Sequence, residues 1–234
     1  MIESRITVQS YDVGADGELR LSALQRYFQQ AARVDCDSFG ATYDVLRQKG
    51  VAFILSKIRY DIDSMPKCDT EAVLKTYSEK VDGVIFTRCF ELLQDGKTVV
   101  AGSSEWAMIN FIKRMPVRSS VLDMPFEQHH TGKAYVFPRR FDTSGTKTVG
   151  TRPVYYSDID QNEHLNNCRY TDIAIDFLPA NMQKAPKSAT MIYTSECRQG
   201  DMLEICTDVN GATAVCQIKN LANGKSSFEA EFVF

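Results

Sequence analysis

No apolar run in this chain of 234 residues approaches the length that would cross a bilayer. The opening MIESRITVQSYDVG is charged and lacks an apolar core segment, which predicts no secretory leader. Paired cysteine spacing is missing too. The seven cysteines, Cys36, Cys68, Cys89, Cys168, Cys197, Cys206 and Cys216, are odd in number and contain no C-x-x-C, so neither a zinc site nor a disulfide framework is expected. Nor is there a basic excess: 27 Lys and Arg stand against 30 Asp and Glu, a net charge of −3, which argues against bulk binding to nucleic acid or an anionic membrane. These absences predict a reduced, soluble, cytoplasmic protein. What is present, 44% hydrophobic and 24% charged residues, suffices for a sizeable core in one large domain or two small ones.

Alternation places a strand at Ile6 and Val8, then turn residues over Asp12 to Gly17. Ser22 is expected to cap a helix with its apolar face at Leu24, Tyr27, Phe28, Ala31 and Val34. Lys49-Gly50 reads as a helix stop. VAFILSKIRYDID follows as a long strand, with further strands over Glu71 to Ser78, Val84 to Leu93 and Thr98 to Phe111, and a tight turn at Asp95-Gly96. The second half repeats the order: a strand over Val149 to Tyr155, a helix, and strands starting at Thr190, Leu203, Ala212 and Ser226, with a turn at Asn223-Gly224. LQDGKT echoes LANGKS, and RYDID echoes IYTSE around a shared tyrosine. A shift of about 144 residues then sets Asp16 on Asp160 and Ser22 on Asn166, with Glu18 and Arg20 where Asn162 and His164 stand. The chain therefore reads as a duplication with one competent half.

The densest chemistry lies in YSDIDQNEHLNNCRYTDIAIDFL, Tyr156 to Leu178. Asp160, Asn162 and His164 are spaced by two, which in an extended segment lines a carboxylate, an amide and an imidazole along one wall. Asn166 or Asn167 can cap a helix with an inward stripe of Tyr170, Ile173, Ala174 and Phe177. Proton-handling groups beside the free N–H groups of a helix start suit acyl transfer or hydrolysis. The same residues are also ordinary turn and cap formers. Between the halves, Pro116, Pro125 and Pro138 and weak periodicity suggest a linker. Over Asn110 to Arg152 eight Lys and Arg stand against three acids, 8 − 3 = +5. That basic segment is either an ordinary solvated linker or a dock for an acidic partner.

Two tandem units of one helix wrapped by an antiparallel sheet resemble a double hotdog, and DIDQNEHLNNCRY resembles the D-x-N-x-H-x-N-N motif of plant and bacterial acyl-ACP thioesterases. SYDVGADGELRLSALQRYFQQAA, GSSEWAMIN and YTSECRQGD add spaced matches in the same order. The resemblance implies an α+β tandem double hotdog: residues 1–112 as a catalytically degenerate hotdog forming the acyl pocket, 113–147 as a basic crossover, and 148–234 as the catalytic hotdog. It also implies hydrolysis of fatty acyl thioesters of acyl carrier protein without cofactor or metal. By the same resemblance, catalysis falls to Asp160, Asn162, His164, Glu196 and Cys197. Thioester chemistry also needs charge stabilisation on the carbonyl oxygen, for which backbone N–H groups near Asn166 and Asn167 are candidates. Glu196 would activate water, and Asp160 would orient the imidazole or the amide. The rival route makes Cys197 a nucleophile activated by His164, but a thiolate beside a carboxylate is disfavoured, so water is preferred. Leu24, Phe28, Phe53 and Leu55 are candidate acyl-binding residues, each also an ordinary core residue. Lys113, Arg114, Arg118, Arg139 and Arg140 are candidates for docking the carrier. Linked halves supply the pair that single hotdogs obtain by dimerising, so a monomer or a homodimer is expected. Other readings are a hotdog lyase, whose His-Phe-Pro-Gly run is replaced here by His164-Leu165-Asn166-Asn167, an acyl-CoA thioesterase, and a non-catalytic acyl binder.

Overall fold

A computed structural model describes residues 1–124 and 126–234. The sequence-level expectation at Pro125 lies outside the described residues. The first half runs β1 (Ile2–Thr7), α1 (Leu21–Ser38), α2 (Tyr43–Gln48), β2 (Val51–Ile62), β3 (Glu71–Asp82), β4 (Ile85–Gln94) and β5 (Lys97–Asn110). A two-residue β6 (Met115–Pro116) folds back on β5. The second half runs β7 (Lys147–Pro153), α3 (Asn167–Asp176), β8 (Ser188–Tyr193), β9 (Met202–Asn210), β10 (Thr213–Asn220) and β11 (Lys225–Val233).

All the strands join one antiparallel sheet in the order β1-β3-β4-β5-β2-β8-β11-β10-β9-β7. The halves meet at β2 and β8, where Lys57 lies opposite Ile192 and Asp61 opposite Ser188. The order within each half is the same read outward from this seam, so the duplication is visible in the strand order. A single apolar cluster spans the seam, with Leu24, Phe28, Leu55, Tyr60 and Phe90 from one half and Tyr170, Ile173, Phe228 and Phe232 from the other. Phe28 stacks on Tyr60 and Phe90, and Tyr170 stacks on Phe228. Between the helices, Thr171 Oγ1 donates to Gln25 Oε1 at 2.6 Å, and Gln25 Nε2 donates to the Tyr193 hydroxyl at 3.2 Å. This satisfies a buried polar seam in an otherwise apolar core.

Several local expectations shift. Ser22 lies inside α1 and is buried, with Arg20 at the N-cap. Val34 is exposed, because the buried stripe turns through Leu21, Leu24, Phe28, Ala31 and Asp35. Asp95-Gly96 is a two-residue turn with both φ positive, whereas Asn223-Gly224 closes a longer turn in which only Gly224 is left-handed. Counted from these hairpins, Val100 and Phe228 are equivalent and pair with Ile62 and Tyr193. Tyr193 therefore matches Ile62, and the tyrosine echo with Tyr60 was coincidental.

The segment between the halves is strapped across the sheet. His129 N–H donates to Ser78 O, and Glu79 takes hydrogen bonds from Thr131 Oγ1 at 2.8 Å and Gly132 N–H at 2.7 Å. Tyr135 reaches Ser103 Oγ and Asp61 Oδ2, and Arg140 reaches Glu229. It thus touches β3, β5 and β2 and ends on β11 of the second half.

Candidate active site

The site grows out of a tight reversal. Residues 160 to 164 are not extended. Asp160 N–H donates to His164 O at 2.9 Å, Glu163 N–H donates to Asp160 O at 3.0 Å, and Glu163 is left-handed with φ +63°. Asp160 Oδ1 takes the Asn162 N–H at 2.8 Å, the short acid mimicking a backbone turn. Asp160 and Asn162 are turn formers, and the closure they make replaces the extended segment expected to line the three side chains along one wall. Two backbone bonds hang the reversal in place: Leu165 N–H to Cys197 O at 2.8 Å, and Asn166 N–H to Asp158 O at 2.9 Å. The first sets His164 beside Glu196, with His164 Nε2 3.3 Å from Glu196 Oε2.

Asp158, which sequence reasoning did not single out, anchors the start. It is buried and takes hydrogen bonds from Arg152 Nη2 at 2.5 Å, Tyr155 N–H at 2.9 Å and Arg169 Nε at 3.2 Å. Asp12 does the same in the first half, binding Arg26 at 2.7 Å and the Tyr27 hydroxyl at 2.7 Å. Burial and this bond push the Tyr27 hydroxyl up to about 12. A buried acid repeated before each helix was the signal that could have found Asp158.

These paired turns fix the register of the duplication. Val13 bridges Leu19 as Ile159 bridges Leu165, so the shift is 159 − 13 = 165 − 19 = 146. Asp16 and Glu18 therefore stand at Asn162 and His164, Gly14 stands at Asp160, and Arg20 stands at Asn166. Leu19 N–H binds Pro66 O as Leu165 N–H binds Cys197 O, which sets Met65 and Pro66 at Glu196 and Cys197. The first half thus lacks both the imidazole and the carboxylate of the pair.

The structure brings together His164, Glu196 and, unexpectedly, Arg114, whose Nη2 lies 3.6 Å from the same Glu196 oxygen. Arg114 sits on the turn between β5 and β6 with φ +51°. Asn162 is exposed and meets the Tyr43 hydroxyl at 3.5 Å, and Arg47 Nη1 donates to that hydroxyl at 3.0 Å. Tyr43, Arg47 and Arg114 all belong to the first half, a proximity that no local pattern reveals. Asp160 is occupied by its own turn and makes no bond to the imidazole among the described residues. Cys197 is fully buried, and its Sγ donates to Ser227 Oγ at 3.1 Å. Asn166 caps α3, its Oδ1 taking Cys168 N–H, and its own N–H is occupied by Asp158. Asn167 opens the helix, so the ladder leaves its N–H without a partner.

Leu24, Phe28 and Leu55 are core residues, while Phe53 is partly buried in a second cluster with Phe86 and Phe126. Two surface cavities, one lined by Asp61, Val99 and Lys187 and the other by Ser119, Asp123 and Met124, touch none of the four. Lys113, Arg118, Arg139 and Arg140 are exposed, and Arg140 also pairs with the buried Glu229 at 2.6 Å.

The family model of the acyl-ACP thioesterase N-terminal domain matches residues 1–123, and that of the C-terminal domain matches residues 143–232. The chain belongs to the acyl-ACP thioesterase family. A palmitoyl-acyl carrier protein thioesterase of Arabidopsis thaliana is 24% identical over 95% of this chain and 57% of its own length. An oleoyl-acyl carrier protein thioesterase of Coriandrum sativum is 21% identical over 92% of this chain and 65% of its own. The chain thus spans between half and two thirds of these relatives. Among solved structures, an acyl-ACP thioesterase from Bacteroides thetaiotaomicron superposes with a TM-score of 0.88 at 24% identity, covering 99% of this chain and 96% of that one. The 12:0-ACP thioesterase from Umbellularia californica gives 0.83 at 16%, over 99% and 96%. The fold is the double hotdog of this family, α+β as expected. Among the described residues, no helix is long and apolar enough to cross a membrane.

Proposed function

We propose that the chain hydrolyses the thioester joining a fatty acyl group to acyl carrier protein, releasing free fatty acid and ending elongation. The observation that carries this reading is the His164–Glu196 pair at 3.3 Å, set by a backbone bond in the half that keeps the family motif. Glu196 takes a proton from water as its oxygen attacks the thioester carbonyl carbon. The Asn167 N–H and the Asn162 amide would stabilise the developing oxyanion. The C–S bond then breaks, the acyl group leaves as the acid, and the carrier's thiolate takes up the proton. His164, whose Nε2 lies 3.3 Å from Glu196 Oε2, would orient the carboxylate. Asp160 acts at one remove, by closing the turn that carries Asn162 and His164. Cys197 is fully buried with its thiol engaged by Ser227, which supports water over an acyl-enzyme. The first half serves as acyl pocket and scaffold. Phe53, with its partial exposure, is the one of the four apolar candidates still open to the chain. Lys113, Arg118 and Arg139 present exposed positive charge to an acidic carrier.

The test is free-thiol release from medium and long acyl-ACPs and from the matching acyl-CoAs. Release with a higher kcat/KM for acyl-ACP is expected. No release from any acyl-ACP would overturn the reading and leave an acyl binder, and a preference for acyl-CoA would correct the carrier.

A further inference from the structure

Arg114 was expected on a docking surface, yet its guanidinium lies on the catalytic carboxylate. Glu196 meets His164 Nε2 at 3.3 Å and Arg114 Nη2 at 3.6 Å, both at Oε2. Among the described residues Oε1 takes no hydrogen bond, and both contacts fall on Oε2. A carboxylate that takes a proton from water must be held in one orientation and keep a lone pair open. Two contacts on one oxygen meet both needs.

The turn that delivers Arg114 is built rather than loose. Asn110 Oδ1 takes hydrogen bonds from Ile112 N–H at 3.1 Å and Lys113 N–H at 2.8 Å, and β6 returns onto β5 directly afterwards. Arg114 itself is left-handed, a conformation that a side-chain-bearing residue keeps only where its surroundings fix it. We propose that Arg114 is a positioning residue for the general base, supplied by the first half to the site of the second. This rests on the reading of Glu196 as the base. The half that lacks its own imidazole and carboxylate then remains part of the catalytic unit, because it orients the carboxylate of the other.

The pair is exposed, 69% for Arg114 and 39% for Glu196, so it adds little to stability and its loss leaves the fold intact. The experiment compares kcat, KM and Tm of wild type, Arg114→Gln and Arg114→Lys on an acyl-ACP and on the matching acyl-CoA. Positioning predicts that kcat falls about ten- to a hundredfold in Arg114→Gln on both substrates. It also predicts that KM and Tm hold and that Arg114→Lys recovers part of the loss. A rise in KM confined to acyl-ACP would make Arg114 a docking residue, and unchanged kinetics would make the contact idle; either overturns the proposal. A readout that needs no turnover separates this from failure of the hydrolase reading. The His164 ring 15N signals should move in Arg114→Gln and stay in Lys113→Gln, and equal spectra would overturn the proposal even in an inactive protein.

Discussion

Asp158 shows how much of the site depends on a residue outside the His164–Glu196 pair. Its buried carboxylate gathers Arg152, Arg169 and the Tyr155 N–H, and its carbonyl holds Asn166, so it closes both ends of the reversal. Removing one partner of such a buried pair leaves the other charges without compensation. Asp158→Ala is therefore expected to cost about 3–5 kcal/mol in urea unfolding. A loss below 1 kcal/mol would mean that the arginines are held elsewhere. The thiols divide by burial in the same way. Burial pushes Cys89 and Cys168 up to about 12, and Cys197, Cys206 and Cys216 are likewise buried. Iodoacetamide should therefore label Cys36 and Cys68 in the native protein and the other five only after unfolding, which peptide mass mapping would check. Residue types were legible in the sequence, but partners were not. That His164 and Glu196 belong together came from the family motif, and Arg114 and Tyr43 approach only through the sheet.

At the scale of elements, local signals read well and closure did not. The long β2 and the hairpin at Asp95-Gly96 follow from β-branched, apolar composition and turn chemistry, both carried by adjacent residues. Asp160 to His164 failed as a strand because the Asp160 side chain competes for the Asn162 N–H and closes a turn. The register of the duplication slipped by two because Ser22 looks like a cap, while α1 starts behind Arg20. Close approach between strands was equally hidden. A Cβ at Gly102 would lie 2.8 Å from the Arg59 carbonyl oxygen and 2.6 Å from the Tyr60 ring, so neither β5 nor β2 has room for one. Gly102→Ala should lower stability by about 1–3 kcal/mol in urea unfolding. No change would show that β2 and β5 can part at little cost.

For the whole molecule, the two halves are one sheet and one strap, with one apolar cluster running across their seam. The strap ends at Arg140, whose guanidinium and the following Phe141 N–H satisfy Glu229, a carboxylate that is 1% exposed. Arg140→Glu is thus expected to lower Tm, since it sets a second carboxylate against the buried Glu229. Arg139→Glu, at an exposed neighbour, should leave Tm unchanged and raise KM for acyl-ACP while sparing acyl-CoA. Equal KM effects on both substrates would contradict docking at Arg139. Net charge could point to a basic segment, but it could not separate an arginine facing solvent from one fastened to the sheet. The central claim is that water, activated by Glu196, cleaves the thioester. Its most direct test is thiol release from acyl-ACP by Glu196→Gln beside Cys197→Ala. Activity lost in the first and retained in the second is the predicted result. Activity retained in Glu196→Gln and lost in Cys197→Ala would contradict the account and place an acyl-enzyme on the cysteine.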